Sequence, residues 1–527
     1  MVQDSQSGKD SLIRMEGITK RFPGVLANDS VDFSVEQGEI HALVGENGAG
    51  KTTLMKILFG LYSRDSGDIY FEDESVEIED PKAANRLGIG MVHQHFMLVP
   101  PLTVVDNITL GREIADYGVL DRKKAKKEIE ELASSIGFDL DPEAKIEDLS
   151  VGARQRIEIL KVLFREAEVL ILDEPTAVLT PQEVESLYKI LDNLQEQGKT
   201  IIFITHKLNE VMDIADRVTV MRDGKDVGTK EVKNTSKKEL ANMMVGREVL
   251  LRVEKQEVEP GEDLMRAENL SIAGGEGKLV DDISFSVREG EIFGIAGVQG
   301  NGQTELIEAL TGIEDFSGGT VEIQDVDRTH ADGRELREAG VGHIPEDRLD
   351  RGLITDFTVT ENLVLGYHTF DRYSNRVFLK PKAMESYAET AVEEFDIKTP
   401  SIGTLVESLS GGNQQKLIVA RELSQKPELL VAAQPTRGID VGAIEFVHKR
   451  LMEEKAKGKG ILLVSSELDE IMSLSDRIAV MYEGEFTAIF DSEETTKEEL
   501  GIYMTGSQRQ DKDEVSQKAM GNISNRE

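Results

Sequence analysis

Cysteine is absent from the 527-residue chain, which excludes disulfide bonds and thiolate metal sites. Long apolar runs are also absent: no stretch reaches the roughly 18 apolar residues that a membrane-spanning helix needs. The first residues, MVQDSQSGKDSLIRM, lack the basic region and following apolar run that mark a signal peptide. We therefore expect a chain that does not cross a membrane by itself.

Basic residues are scarce beside acidic ones: 61 Lys and Arg stand against 99 Asp and Glu, which gives a net charge of −38. The largest basic run, DRKKAKKEIEE (Asp121–Glu131), alternates into acids and is typical of a solvated helix face. This charge repels nucleic acid phosphates, so we expect no nucleic acid partner. Acid spread along the whole chain is typical of a halophilic protein, although an ordinary acidic cytosolic protein has a similar composition.

The second half of the chain repeats the first. With an offset of 252 residues, ISFSVREGEI (Ile283–Ile292) matches VDFSVEQGEI (Val31–Ile40). Further on the offset becomes 260, where ILLVSSELDEIMSLSDRI (Ile461–Ile478) matches IIFITHKLNEVMDIADRV (Ile201–Val218). Two matched blocks with one small insertion predict the tandem duplication of a whole domain, since the period is too long for a solenoid.

Each half alternates short apolar strands with helices, which predicts an α/β fold with a mainly parallel sheet. Charge, proline and glycine mark the segment Glu248–Asp263 as a linker, and the polar ends of the chain predict disorder. The expected division is a disordered N-terminus over 1–12, a first domain over 13–247, a linker over 248–263, a second domain over 264–506 and a disordered tail over 507–527.

The stretch GENGAGKTT (Gly45–Thr53) fits the phosphate-binding pattern G-x-x-x-x-G-K-[ST], with a strand before it and a helix after it. Its glycines let backbone N–H groups turn toward nucleotide phosphates, Lys51 can reach the β- and γ-phosphates, and the Thr52 hydroxyl suits Mg²⁺. The nucleotide-binding residues predicted here are Gly45, Glu46, Asn47, Gly48, Ala49, Gly50, Lys51, Thr52 and Thr53.

A buried strand, VLILDE (Val169–Glu174), ends in two carboxylates. Buried carboxylates are costly unless they are paired or bound to a metal. Asp173 therefore suits the Mg²⁺ coordination shell, and Glu174 suits a base that orients water for attack on the γ-phosphate.

With these motifs in place, the sequence resembles an ATP-binding cassette (ABC) ATPase with two cassettes in tandem, over about residues 13–506. The resemblance implies that Gln94 in MVHQHF senses Mg²⁺ and the γ-phosphate, and that His206 in ITHKL contacts the γ-phosphate. It places Phe22 against adenine, although a lone phenylalanine is more often a core residue. The signature segment LSVGARQ (Leu149–Gln155) departs from the family's LSGGQ. The implied fold is a mainly parallel sheet core with an antiparallel edge and a helical subdomain in each cassette.

The second half departs from the family at the matching positions. The replacements are Gln303 for Lys51, Glu305 for Thr53, Ala433 for Asp173, Gln434 for Glu174, Ser466 for His206, Gly274 for Phe22 and Glu346 for Gln94. The cation at the phosphates and both acids are lost, and a carboxylate is added where it repels the nucleotide's own charge. This pattern predicts a second pocket that does not hydrolyse ATP.

Two motifs of the second half stay intact, the signature LSGGNQQ (Leu409–Gln415) and GID (Gly438–Asp440), whereas the first half has Thr180 in place of the aspartate. In this family ATP lies between the phosphate loop of one cassette and the signature of the other. The resemblance therefore implies one competent composite site, to which the second half contributes Ser410, Gly411, Gly412, Asn413 and Asp440. Two independent ATPases, one of them inactive, are the alternative, which leaves the complementary losses unexplained.

The tandem arrangement is similar to the ATP-binding subunit of importers for simple sugars (ribose, galactose, glucose) or nucleosides. It implies ATP and Mg²⁺ as cofactors and two integral-membrane permease subunits plus an extracellular solute-binding protein as partners. The implied place is the cytoplasmic face of the membrane. The segments 95–108 and 350–365 are expected to line grooves for helices of the membrane subunits. The alternative is a soluble twin-cassette ATPase acting on ribosomes or DNA, although such relatives usually have a long basic linker and two complete sites.

Overall fold

The computed structural model describes residues 11–94, 96–116, 119–138, 140–176, 179, 181–248, 258–275, 277–375 and 377–521. The chain divides into two units, Met1–Val249 and Leu250–Glu527, which correspond to the two halves of the sequence repeat. The two units share most of their order of strands and helices; unit 1 adds two short strands, Ala115–Asp116 and Val119–Leu120, and unit 2 adds a last helix, Lys512–Ala519.

Unit 1 contains strands β1 (Ser11–Phe22), β2 (Val25–Glu36), β3 (Ile40–Gly45), β4 (Ser66–Phe71), β5 (Glu74–Ser75), β6 (Ile89–Val92), β7 (Ala115–Asp116), β8 (Val119–Leu120), β9 (Val169–Asp173), β10 (Thr200–Thr205), β11 (Arg217–Arg222) and β12 (Lys225–Glu231). Its helices are α1 (Lys51–Leu58), α2 (Pro81–Arg86), α3 (Val104–Thr109), α4 (Arg122–Ser135), α5 (Val151–Phe164), α6 (Pro181–Glu196), α7 (Leu208–Ile214) and α8 (Lys237–Val245).

Unit 2 contains strands β13 (Asp263–Ala273), β14 (Lys278–Arg288), β15 (Ile292–Ala296), β16 (Gly318–Ile323), β17 (Val326–Asp327), β18 (Val341–Ile344), β19 (Leu429–Ala433), β20 (Gly460–Ser465), β21 (Arg477–Tyr482) and β22 (Glu485–Asp491). Its helices are α9 (Gln303–Leu310), α10 (Gly333–Glu338), α11 (Val359–Leu363), α12 (Pro381–Glu394), α13 (Gly411–Leu423), α14 (Val441–Ala456), α15 (Leu468–Leu474), α16 (Lys497–Met504) and α17 (Lys512–Ala519).

Each unit has a six-stranded, mainly parallel sheet and a four-stranded antiparallel sheet. In unit 1 the six-stranded order is β12-β11-β3-β10-β9-β6, and only the β11–β12 pair at the edge is antiparallel. The corresponding order in unit 2 is β18-β19-β20-β15-β21-β22, again with one antiparallel edge pair, β21–β22. The antiparallel sheets have the orders β2-β1-β4-β5 and β14-β13-β16-β17. The predicted α/β class with a parallel core and an antiparallel edge is confirmed.

Strand β10 explains why the central strands are continuously apolar. Its residues Ile202 and Ile204 join a core with β1, β2 and α1 on one face of the sheet. Ile201 and Phe203 point to the other face and join a core with α3, α4 and α5, which is the predicted helical subdomain. A parallel strand covered on both faces must be apolar at successive positions rather than alternating.

An ion pair occupies the same place in both units, fully buried in unit 2 and part-buried in unit 1. In unit 2, Arg477 at the start of β21 donates its Nε to Glu291 at 2.6 Å, and both side chains are buried. Burial alone would raise the pKa of Glu291, but hydrogen bonds and charge from Arg477 and Arg288 outweigh it and lower that pKa. In unit 1, Arg217 pairs with Glu39 at 3.2 Å. The sequence repeat thus includes a paired charge beneath the sheet.

The structure can be compared with three of the predicted segment boundaries. The predicted disorder of the N-terminus through residue 12 is wrong at its end, because Ser11 and Leu12 belong to β1 and Ser11 pairs with Glu36 of β2. The linker 248–263 lies mostly outside the described residues. The tail was expected to be disordered from 507, which is wrong over 512–519: α17 packs on β14 and β22 and buries Val515 and Ala519. Arg477 also donates to the Ala519 carbonyl oxygen at 2.7 Å, a tertiary contact that the polar composition of the tail did not indicate.

Within the described ranges, we find no helix whose length and apolar character would let it cross a bilayer.

We predict that Arg477→Met destabilises unit 2 by about 3 kcal/mol at neutral pH, because it leaves Glu291 buried without its main partner. The measurement is a urea titration read by hydrogen exchange of unit 2 peptides. The control is Arg266→Met, which removes an exposed pair with Glu268 and should cost less than about 1 kcal/mol.

The loss of stability caused by Arg477→Met should also depend on pH. The lowered pKa of Glu291 stabilises the fold above the ordinary value of 4.5, and this stabilisation is lost as the pH falls through the folded pKa. The difference between Arg477→Met and the parent chain should therefore shrink below pH 4.5. A difference that grows on acidification would contradict the assignment.

Candidate functional site

The loop after β3 in unit 1 wraps around the side chain of Lys51. Gly50, which caps α1, has a φ of 95°, and a Cβ there would lie 2.3 Å from the Ala27 carbonyl oxygen, so only glycine fits. The Lys51 Nζ is buried and donates to the carbonyl oxygens of Gly45 at 2.8 Å and Glu46 at 3.0 Å. A cation and the N-terminus of α1 thus lie together, an arrangement that favours a bound phosphate.

Thr52 and Asp173 form a pair of oxygen donors beside this loop. The Thr52 hydroxyl donates to Asp173 Oδ1 at 3.2 Å, and Asp173 ends the buried strand β9. Burial raises the pKa of Asp173, the neighbouring Glu174 charge adds to that effect, and Thr52, Lys56 and Lys51 oppose it. A hydroxyl and a desolvated carboxylate are the hard oxygen ligands that Mg²⁺ prefers, so these residues fit the predicted ion.

Glu174 lies between an amide and an imidazole. Gln94 Nε2 donates to one carboxylate oxygen at 3.0 Å, and His206 Nδ1 lies 2.9 Å from the other. Burial alone would raise the pKa of Glu174, but the hydrogen bond and charge of His206, with further charge from Lys51, lower it. Glu174 is therefore held as a carboxylate in a fixed orientation, which is what a general base or water-orienting group requires.

The backbone at Glu174 is unusual as well. Its φ is 49°, in the left-handed region that few non-glycine residues adopt, and its N–H donates to the Ile204 carbonyl oxygen at 3.0 Å. Gln434 repeats this conformation in unit 2, with a φ of 46° and an N–H bond to Val464 at 2.7 Å.

Phe22 is the last residue of β1 and is half-buried. Its ring meets Tyr62 edge-on with centroids 5.4 Å apart, and Lys20 Nζ lies 5.5 Å from its centroid. The side chain is outside the buried core, so the core alternative loses support. Contact with adenine stays a prediction.

Each unit has one signature segment, and in each unit that segment begins a helix. Ser150 caps α5 in unit 1, where a Cβ on Gly152 would lie 2.2 Å from Glu183 Oε1. In unit 2, Ser410 caps α13 and accepts a hydrogen bond from Asn413 Nδ2 at 2.8 Å.

The other second-half residues predicted for the nucleotide lie beside that cap. Asp440 caps α14, and a Cβ on Gly412 would lie 2.8 Å from Asp440 Oδ2, so the signature glycine permits this close approach. A Cβ on Gly411 would lie 3.0 Å from Arg348 Nη2. Thr180, the first-half counterpart of Asp440, lies outside the described residues.

The loop of unit 2 keeps its shape without a cation. Gln303 begins α9 at the position of Lys51, its Nε2 donates to the Val298 carbonyl oxygen at 3.2 Å, and its Oε1 accepts from Asn301 N at 3.2 Å. An amide thus replaces the lysine in holding the loop. It cannot supply the charge that triphosphate binding uses.

Glu346 occupies the space next to this loop. Its carboxylate accepts hydrogen bonds from Thr304 at 3.0 Å, from Gln299 at 3.3 Å and from Arg437 at 2.6 Å. Thr304, the counterpart of Thr52, is therefore engaged by an internal carboxylate. Arg437 was not among the predicted residues, because it is 91 positions from Glu346 in the sequence and meets it only in the folded unit.

A cavity of about 360 Å³ opens beside the unit 2 loop. Its wall includes Gln303, Thr304, Glu346, Ala433, Gln434 and Arg437. Gln434 Oε1 accepts hydrogen bonds from Ser466 N and Oγ, both at 3.2 Å, where unit 1 has the Glu174–His206 contact. The cavity keeps the position of a nucleotide site while lacking its lysine and both acids.

The structure brings six of the predicted unit 1 residues together: Lys51, Thr52, Gln94, Asp173, Glu174 and His206. These residues follow β3, β6, β9 and β10 at the carboxyl edge of the parallel sheet. Open α/β sheets bind ligands at that edge.

Comparison with known proteins places this geometry in a family. The sequence profile described as "ABC transporter" matches residues 28–177 and 280–437, once in each unit. The chain is 50% identical to the guanosine import ATP-binding protein NupO of Bacillus subtilis (strain 168), with 94% of this chain and 98% of the relative covered.

Two further relatives cover the chain to the same extent. The glucose import ATP-binding protein TsgD13 of Haloferax volcanii is 46% identical, over 94% of this chain and 96% of its own length. The ribose import ATP-binding protein RbsA 1 of Rubrobacter xylanophilus is 42% identical, over 94% and 99%. Among solved structures, an archaeal ribosome recycling factor, aABCE1, in complex with the stalk protein aP1, has a TM-score of 0.63 at 19% identity. It covers 93% of this chain and 92% of that chain, a similarity of fold alone.

Proposed function

The chain belongs to the ABC transporter family, and on that premise we propose that it is the ATP-binding and hydrolysing subunit of an importer for simple sugars or nucleosides. The observation that carries the proposal is identity of 42–50% over nearly the full length to import ATP-binding proteins for guanosine, glucose and ribose. The proposed ATPase activity is further supported by the unit 1 site, where a lysine, a hydroxyl and two carboxylates converge.

The alternative, a soluble twin-cassette ATPase acting on ribosomes or DNA, receives no support. The chain resembles the ribosome recycling factor in fold, at 19% sequence identity. Fold alone does not decide function. The relatives that share sequence along the whole chain are import proteins.

We assign roles to the unit 1 residues from their contacts. Lys51, with the loop from Gly45 to Thr53, holds the β- and γ-phosphates, and the Mg²⁺ neutralises phosphate charge when bound by Thr52 and Asp173. Glu174 orients and deprotonates the attacking water, because its carboxylate is fixed by Gln94 and His206; the lowered pKa of Glu174 means only that this carboxylate is ionised at neutral pH. Gln94, which donates to Glu174, is assigned the sensing of Mg²⁺ and the γ-phosphate, and the hydrogen bond and charge of His206 keep the Glu174 carboxylate ionised.

We propose one competent composite site because the losses in the two halves are complementary. We propose that the unit 1 loop works with Ser410, Gly411, Gly412, Asn413 and Asp440 of the intact unit 2 signature. The proposal is supported by Gln303, Ala433 and Gln434, which deprive the unit 2 loop of its cation and acids. ATP binding then closes the pair of cassettes, and hydrolysis reopens it. The cassette boundaries proposed for this pair are 13–247 and 264–506.

The proposed partners are two integral-membrane permease subunits at the cytoplasmic face and an extracellular solute-binding protein. The segments 96–108 and 350–365, one in each unit, support docking of the permeases. Each has an asparagine that fixes an extended stretch: Asn107 accepts from Val99 N at 2.7 Å, and Asn362 accepts from Ile354 N at 2.9 Å. Apolar side chains, including Met97 and Phe357, stay exposed on these segments.

We predict that Glu174→Gln binds ATP, stays in the closed state and loses turnover by on the order of 100-fold or more, because the amide cannot take a proton. Phosphate release and retention of labelled ATP on the purified chain measure the two effects. Normal phosphate release from this variant would refute the catalytic role of Glu174.

The matched variant in unit 2 is Gln434→Glu. We expect an unchanged ATPase rate, because the new carboxylate still lacks the lysine replaced by Gln303 and the acid replaced by Ala433. A doubled steady-state rate would show that unit 2 can hydrolyse ATP and would contradict the single-site proposal.

A pull-down from the membrane fraction tests the importer. The tagged chain should recover two polytopic subunits from detergent extracts, and recovery with ribosomes would favour the alternative instead. Mass spectrometry of ligands bound to the partner solute-binding protein would then decide between a sugar and a nucleoside, since the ATP-binding subunit does not contact the solute.

A further inference from the structure

A hairpin in unit 2 exposes three consecutive apolar side chains. Val377, Phe378 and Leu379 are 78%, 71% and 51% exposed, and we call these three residues the apolar tip. They lie between α11 and α12, outside the ATP site. Contiguous exposed apolar residues usually mark a surface that another molecule covers.

Contacts among described residues on either side of the apolar tip form its base. Ser374 and Leu379 form a β-bridge, Asn375 N donates to the Phe378 carbonyl oxygen at 3.1 Å, and Lys380 N donates to Tyr373 at 2.8 Å. The Tyr373 ring is buried against Tyr387 with centroids 5.4 Å apart. The exposed side chains are therefore presented by a folded base.

The apolar tip has an unusual charge environment for this chain. The segment 371–382, DRYSNRVFLKPK, contains four basic residues and one acid, a net charge of +3 within a chain of net charge −38. Lys380 and Lys382 are exposed, and Arg372 lies 4.5 Å from the Tyr373 ring centroid. Positive charge thus surrounds the most exposed apolar group.

Unit 1 repeats the combination at the corresponding place. There the hairpin β7–β8 precedes α4, and Leu120 is 66% exposed. The basic residues Arg122, Lys123, Lys124, Lys126 and Lys127 follow Asp121. Unlike the basic residues of unit 2, this run alternates into acids, and Arg122, Lys124, Lys126 and Lys127 pair with acidic side chains. An exposed apolar residue with basic neighbours before this helix therefore occurs once in each unit.

We propose that the apolar tip inserts into the headgroup region of an anionic lipid bilayer, with the exposed Lys380 and Lys382 bound to lipid phosphates. Apolar burial and charge attraction together are what shallow membrane association requires. A protein partner is less suitable, because three side chains offer far less than the roughly 1,000 Å² of a stable protein interface. The inference rests on the proposed function, which brings the chain to the inner face of a membrane.

The experiment uses the full chain without permease and exploits the absence of tryptophan. Phe378→Trp places a single fluorophore in the apolar tip. Its emission should shift to the blue with vesicles of phosphatidylcholine and phosphatidylglycerol, and less with phosphatidylcholine alone. The control is Val326→Trp, at an exposed apolar position of unit 2 between Asp325 and Asp327, which should not shift.

Sedimentation with the same vesicles measures affinity. Val377→Ser/Phe378→Ser should weaken binding by on the order of tenfold or more, because an inserted phenylalanine contributes at least that factor. Lys380→Gln/Lys382→Gln should weaken it and reduce its dependence on salt.

Four outcomes would overturn the inference: no blue shift at position 378, an equal shift at position 326, equal binding to neutral vesicles, or binding that appears only when permease is present. The last would indicate a protein partner. ATP hydrolysis by the serine variant is measured in parallel, and we expect the parent rate. Loss of vesicle binding with hydrolysis intact concerns the apolar tip alone, whereas a parent chain without ATPase activity would refute the proposed function.

Discussion

Parallel pairing of β6, β9, β10 and β3 is the constraint on which the candidate site depends. Each of these strands ends at the same edge of the sheet, and each is followed there by one part of the site: Gln94, the Asp173–Glu174 pair, His206 and the Gly45 loop. Residues up to 121 positions apart in the chain thereby come within hydrogen-bonding distance. The apolar character of the strands, buried on both faces, holds that register.

Unit 2 has the same strand pairing but different side chains at the carboxyl edge of its sheet, so the pairing does not depend on the proposed catalytic residues. Its strands β18, β19, β20 and β15 pair in the same way and place Glu346, Gln434, Ser466 and the Gly297 loop at the matching edge. The positive φ of Glu174 recurs at Gln434, so the strained turn survives without the acid. Electrostatics differ instead: a buried lysine becomes an amide, and an internal carboxylate paired with Arg437 lies where nucleotide and cation would act.

Individual basic residues have local roles in a chain that is strongly acidic overall. The acid-rich surface agrees with the predicted halophilic host, which stays a prediction. Within it, single cations have defined tasks, such as Lys51 at the phosphate loop and Arg477 beneath the sheet of unit 2. The basic residues beside the apolar tip form a third case, in which positive charge is grouped on a hairpin rather than paired in a core.

The sequence by itself determined the duplication, the α/β class and the position of each nucleotide motif, because a phosphate loop, strand-end carboxylates and apolar strands are local patterns that a repeat makes easier to recognise. It could not supply the bond from Gln94 to Glu174, the engagement of Thr304 by Glu346 and Arg437, or the docking of α17 through Arg477. Those contacts join residues 42 to 91 positions apart, and only the packing of strands and helices brings them together. The tail was misjudged for that reason: its polar composition carries two buried side chains, and their burial depends on a surface made elsewhere in the chain.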